Sequence, residues 1–234
     1  MKPPVYFIAI KDHKVSQKYI AHCRPTWDNA GLETHIHDAC TPANIDETYC
    51  GKKLYFGLRS RRKRYGEPLT PTEKAIWYSH LALWMKCVEL DRPIIIAEHD
   101  AFLSHPFPDD YFDNIKPIRI LCSARGENAC AEYCMCKDCV ATRKKRDRTA
   151  GGAYYIEPSI AQNLIDEIDN LEILTYNSDS LIHDQMNKHG DWDHTRAYQY
   201  TCSTWGVTID HGDNFTGALN KEFILERVIN NANL

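Results

Sequence analysis

The apolar run Ile94-Ile95-Ile96-Ala97 ends in Glu98-His99-Asp100, so a β-branched stretch delivers two carboxylates two residues apart. In an extended chain side chains alternate, which puts Glu98 and Asp100 on one face and His99 on the other. Two carboxylates so placed can address one cation, and their hard oxygens suit Mn²⁺ or Mg²⁺. A second acidic pair, Asp179 and Asp184, lies in Ser178-Asp179-Ser180-Leu181-Ile182-His183-Asp184. If that segment is helical, residues five apart do not share a face, so only one of them points into a common site. Cys130, Cys134, Cys136 and Cys139 form C-x3-C-x-C-x2-C, dense enough for four thiolates to wrap a structural Zn²⁺. The spacing is not a standard two-knuckle arrangement, and free thiols are the competing reading.

These groups need elements to carry them. Thr70, Pro71 and Glu73 make a capping box with proline at the first helical position, so a helix starts there. Its apolar residues Ala75, Ile76, Leu83, Trp84, Cys87 and Val88 fall near helical spacing, and Pro93 ends the pattern before the isoleucine strand. Upstream, Val5 to Ile10 reads as a strand, Ser16 to His22 with its surroundings as a helix, and Gly31 to Ile36 as a turn and second strand. Asp38 to Pro68 reads as loop with short helical pieces, and a short helix is expected near Tyr111. Ile118 to Ser123 is a further strand. From Gly151 the strand and helix logic resumes, with a helix over Pro158 to Asn170 and a final one from Phe215 through Leu234. Alternation of this kind predicts an α/β sheet.

With 234 residues and 43% hydrophobic content, the chain predicts one globular domain over 1–234, carrying a Cys-rich, basic insert around 126–148. The opening MKPPVYFIAI is too short an apolar run for a signal peptide, and no stretch approaches the roughly 20 apolar residues of a membrane span. A soluble, cytoplasmic protein is expected, its ten cysteines reduced or metal-bound rather than paired. Net charge is only −4, yet Arg59 to Arg64 and Arg143 to Arg148 each hold five basic residues in six positions. Such loops suit phosphate. No G-x-G-x-x-G, G-x-x-x-x-G-K-[ST] or G-x-S-x-G motif is present, which leaves dinucleotide, P-loop and serine-hydrolase chemistry unsupported.

Thr72-Glu73, Ser79-His80 and Leu83-Trp84, followed by the strand and Glu98-His99-Asp100, resemble the helix, strand and acidic triplet of glycosyltransferase family 25. That group contains lipopolysaccharide-core sugar transferases and collagen galactosyltransferases. Gly151-Gly152-Ala153-Tyr154-Tyr155-Ile156 with the helix after it is a second matching block, and Asp179 to Asp184 a third. The family usually has an acidic residue where this chain has His99.

The resemblance implies a GT-A-like fold with a mixed, mainly parallel sheet, and metal-dependent, inverting transfer from a nucleotide sugar, UDP-linked by expectation. Glu98 and His99 would touch the donor, with Gly151, Gly152, Ser79 and His80 beside it. Asp100 and Glu98 would hold the cation, with His211 as a further ligand and His194 as second choice. Asp179 or Asp184 would be the general base. The basic residues Arg61, Arg62, Lys63, Arg64, Arg143, Lys144, Lys145 and Arg146, with Tyr65 and Tyr133 nearby, would grip a polyanionic acceptor. Lipopolysaccharide core fits, and so does DNA; viral enzymes that glycosylate hydroxymethylated bases, to which a relation is open, would need such a track and a pocket for an extruded base. Two other readings compete. The pairs His37-Asp38, His99-Asp100 and His183-Asp184 evoke HD-type metal phosphohydrolases, and the His99 departure fits an inactive, zinc-stabilised nucleic-acid-binding protein on a transferase scaffold.

Overall fold

The computed structural model describes residues 2–45, 49–60, 66–103, 105–124 and 152–199. In chain order these form β1 (Val5–Ala9), α1 (Lys14–Asn29), β2 (Thr34–Asp38), α2 (Pro71–Leu90), β3 (Ile94–Glu98) and β4 (Ala101–Leu103). Then follow β5 (Ile118–Ala124), β6 (Ala153–Ile156), α3 (Pro158–Asn170), α4 (Ser178–His189) and β7 (Asp191–Gln199). One sheet holds all seven strands in the order β2-β1-β3-β6-β5-β7-β4. β1 is parallel to both β2 and β3, and β5 to β7. β6 lies antiparallel between β3 and β5, and β4 antiparallel on β7. Five strands therefore run one way and two the other, the mixed, mainly parallel sheet of a GT-A-like α/β fold.

β3 shows why its sequence is continuously apolar. Ile94 and Ile96 pack with α2, α3 and α4, while Ile95 and Ala97 pack with α1, and all four are fully buried. A strand covered on both faces has no polar side to alternate with. α2 is set by the expected capping box: Glu73 N–H donates to Thr70 Oγ1 (3.2 Å), and Thr70 N–H donates to Glu73 Oε2 (2.9 Å). Arg59 pairs with the same carboxylate and so ties the preceding segment to the helix start. α2 ends at Asp91, in the left-handed region with φ 46°, before Pro93.

Several elements differ from expectation. α1 is longer than the predicted Ser16 to His22 core and runs through Pro25 to Asn29, starting where His13 Nδ1 accepts the Ser16 N–H (3.3 Å). The described residues between β2 and α2 contain no helix. Their backbone groups are satisfied instead by bridges from Phe56 to Leu174 and from Leu58 to Pro68, with Gly57 N–H donating to Leu174 (2.9 Å) and Arg59 N–H to Glu67 (2.8 Å). The stretch around Tyr111 is a series of turns rather than a helix. The tail from Phe215 lies outside the described residues. No helix among the described residues is long and apolar enough to cross a membrane.

Candidate functional site

β1 sits between β2 and β3 in the sheet, and the helices that follow β1 and β2 lie on opposite faces. The chain leaving β1 and the chain leaving β2 therefore turn to opposite faces, a topological switch of the kind beyond whose strand ends open α/β sheets take their ligands in a crevice. Its rim is made by the loop Ile10 to His13, by Asp38, by Glu98 to Asp100, and by Gly152, whose carbonyl accepts the Glu98 N–H (2.9 Å). The β1–α1 loop is tied down. Ile10 N–H donates to Ser16 Oγ (2.9 Å), Gln17 Nε2 donates to the Ile10 carbonyl (2.9 Å), and Lys11 N–H donates to Asp38 Oδ1 (3.2 Å).

The acidic triplet divides between the two faces, which corrects the expectation that Glu98 and Asp100 share one. Glu98 closes β3 on the α2 side, where its charge reaches the Tyr154 hydroxyl. Asp100 is fully buried on the α1 side. There burial, and then the Asp100 charge, push Tyr19 up to about 12 and hold the Cys23 thiol well above its usual range. His99 lies on the same side, its ring 5.8 Å from that of Tyr19 and hydrogen-bonded to the Ile8 backbone. Burial holds it below the usual histidine range, partly offset by Asp100. The cause of the split is local: extended backbone stops at Glu98, and His99 and Asp100 turn the chain into β4, so the two-residue period lapses there.

On the other face, α2 supplies a polar belt. Ser79 is buried, with its hydroxyl accepting the Cys40 N–H (2.9 Å) and donating to the Ala75 carbonyl (3.1 Å). His80 is buried with Nδ1 2.8 Å from Tyr154 Oη, which also accepts from Trp84 Nε1 (2.9 Å). With the indole donating, the phenol can give its own proton to His80 Nδ1, which leaves the imidazole proton on Nε2. That Nε2 has no hydrogen-bond partner among the described residues. Burial, and then His37, push His80 down to about 3, so the ring is neutral. Burial raises Tyr154 well above its usual range, and the charges of Asp179, Cys87 and Glu98 add to it.

Asp179 reaches this point because of chain direction. β6 runs away from the crevice, α3 returns, and α4 starts near α2, where Trp77 Nε1 donates to the Tyr176 carbonyl (2.8 Å). α4 then descends to Gly190, packed on Ile118 at the start of β5. Asp179 thus occupies the first turn of α4 at the crevice end. Asp184 lies about 7.5 Å farther along the helix axis. Beside them Ser178 is buried, its Oγ without a hydrogen-bond partner among the described residues.

Among the described residues no group of three or more His, Cys, Asp and Glu is gathered that could hold a metal ion. The three His-Asp pairs fall on β2, on the turn after β3 and on α4, which removes the basis for a phosphohydrolase centre. Glu98 and Asp100 lie on separate faces at the end of β3. Gly151, His211, Cys130, Cys134, Cys136, Cys139, Arg61 to Arg64 with Tyr65, Tyr133 and Arg143 to Arg146 lie outside the described residues; His194 is on β7. Of the described strands that border those residues, β5 ends at the crevice end at Ala124 and β6 begins there at Ala153, while Gln199 of β7 pairs with Ala101, next to Asp100.

Trp77, Trp84 and Tyr154 escaped assignment in the sequence. The available signal was the spacing of Trp77, His80 and Trp84 at i, i+3 and i+7, which stacks three ring nitrogens on one helix face. The model of glycosyltransferase family 25 (LPS biosynthesis protein) matches residues 2–182. Comparison with curated proteins finds no match.

Proposed function

The chain belongs to glycosyltransferase family 25 and is a glycosyltransferase, and on that premise we propose that the crevice between β1 and β3 takes a nucleotide diphosphate sugar, UDP-linked by preference. The observation that supports this most is that Glu98 ends β3 and Asp179 stands in the first turn of α4, both at the same end of the sheet, where the charge of each raises the Tyr154 phenol. In the proposed reaction the acceptor hydroxyl oxygen attacks the anomeric carbon, its proton passes to an Asp179 carboxylate oxygen, and the bond from carbon to the diphosphate oxygen breaks. The bonding pair leaves on the nucleotide, and the anomeric centre inverts. Glu98 orients the donor, and Asp179 rather than Asp184 is the base because it stands at the crevice end of its helix. His99 serves the turn, not the donor.

Mn²⁺ or Mg²⁺ is the proposed counter-ion of the diphosphate, taking one carboxylate of the split triplet and His211 from outside the described residues; bound there it would offset charge on the leaving nucleotide. Zn²⁺ in the four-cysteine cluster is a separate proposal. A polyanionic acceptor is proposed from the two basic runs, with lipopolysaccharide core and hydroxymethylated DNA as its two forms.

The test is mass spectrometry of products after the chain is incubated with Mn²⁺, a panel of nucleotide sugars and each acceptor. One acceptor is expected to gain a hexose or pentose mass, and EDTA is expected to abolish the gain until Mn²⁺ is restored. Asp179→Asn should lower kcat by about 100-fold or more, the scale of a lost general base, whereas Asp184→Asn should stay near wild type. The reverse order would move the base to Asp184, and no gain on either acceptor would remove the proposed acceptor class.

A further inference from the structure

Glu98 and Asp179 come from elements that do not pair with one another, so something else must fix their separation. Glu98 belongs to β3, which is bonded to β6 and so to Tyr154: Ile96 and Tyr154 are register partners two positions below Glu98 and Gly152. Asp179 belongs to α4, whose start follows Tyr176. α2 touches both through one face. Trp77 Nε1 donates to the Tyr176 carbonyl (2.8 Å), while His80 Nδ1 (2.8 Å) and Trp84 Nε1 (2.9 Å) meet the Tyr154 hydroxyl. The rings brace one another, Trp77 edge-on to Trp84 with centroids 6.3 Å apart, and His80 stacked on Tyr154 at 5.8 Å. All four side chains are buried, and the two bonds to the Tyr154 hydroxyl are closed to competing water.

We infer that Trp77, His80 and Trp84 act with Tyr154 as positioning residues, a ladder on α2 that sets the distance between the carboxylate at the end of β3 and the one at the start of α4. None of them touches the reacting atoms. The alternative way to hold α4, a side-chain cap, is missing: Asn177 makes no cap hydrogen bond to the helix amides. The Trp77 bond to the preceding carbonyl takes over that anchoring. Trp84 and His80 do the same for β6 through a single hydroxyl, and the helix transmits the fixed rise of about 1.5 Å per residue between the two anchor points.

The inference rests on the proposed transfer only for its effect on rate; its effect on structure can be read separately. In Trp77→Phe, amides 181–184 should exchange hydrogen at least tenfold faster than in wild type, with exchange in β3 unchanged. The ratio of sugar transfer to hydrolysis of the same nucleotide sugar should fall at least tenfold with donor KM within twofold. Misplacing the base relative to the acceptor oxygen spoils transfer more than donor binding, whereas a merely structural loss lowers both in proportion to the folded fraction. Tyr154→Phe, which keeps the ring, should lower the same ratio and stands in where Trp77→Phe fails to fold. Unchanged exchange at the start of α4, or transfer and hydrolysis falling together in both variants, would overturn the ladder. A wild-type chain that transfers no sugar would sink the proposed reaction instead, and the exchange result alone would then decide the inference.

Discussion

His80 carries a stability that depends on acid. Its pKa in the folded chain, about 3, lies below its ordinary value of 6.5. Between those values the unfolded chain binds the extra proton and the folded chain does not. The contribution is therefore complete above about pH 6.5 and is lost as pH falls toward about 3. His37 and His99 are lowered in the same direction. Thermal melts should show Tm dropping less between pH 7 and pH 4.5 in His80→Gln than in wild type, since the carboxylates common to both cancel in the comparison. An equal drop would mean that His80 titrates normally. At this scale the sequence named the residues but not their geometry. Glu98, His99 and Asp100 follow the end of β3 and Asp179 stands in the first turn of α4, all at one end of the sheet. What alternation could not foresee is that the chain turns at His99, because a turn between β3 and a strand of three residues has no apolar pattern of its own. The departure from an acidic residue at position 99 becomes intelligible here, since the ring packs on Tyr19 and binds the Ile8 backbone, a place that suits a neutral donor better than a buried charge.

Among elements, α2 was the most legible and α1 the least complete. Capping is a local interaction written in four consecutive residues, so Thr70, Pro71 and Glu73 announce it without tertiary help. Thr70→Ala should cost about 1 kcal/mol, the usual loss for a removed cap, seen as a lower urea midpoint with unchanged slope; no change would show that Arg59 and Pro71 suffice to start the helix. α1 extends beyond its expected core of Ser16 to His22: it contains Pro25, yet its buried face, Tyr19, Ile20, Cys23 and Trp27, continues past the proline. Packing against the sheet outweighs that local penalty. β4 and β7 were not separable in advance for a related reason. β7 reads DWDHTRAYQ, with charges at three of its first six positions, and its pairings with β5 and β4 join residues roughly 70 to 100 apart in the chain. Such strands are specified by partners rather than by their own composition.

At the scale of the whole molecule, the tightest approach at any described glycine lies at the far end from the crevice. Gly190 links α4 to β7, and its φ of −118° would admit any residue, but a Cβ there would sit 2.2 Å from the Ile118 carbonyl oxygen and 2.8 Å from Ile118 Cγ2. Gly190→Ala should therefore destabilise by about 1–3 kcal/mol, the range for overpacking, measured by urea unfolding; a neutral result would show that β5 can give way at its start. At the opposite end the arrangement is permissive. The described strand pairings stop at Ala124 on β5, resume at Ala153 on β6 and stop again at Gln199 on β7. A lineage could lengthen, shorten or replace the sequence between 124 and 152 or after 199 and alter what the enzyme greets while inheriting those pairings intact. By the same logic a loop exchanged between Ala124 and Gly152 is the natural graft for retargeting it, and a fusion partner belongs at the start of β1, on the side away from the crevice.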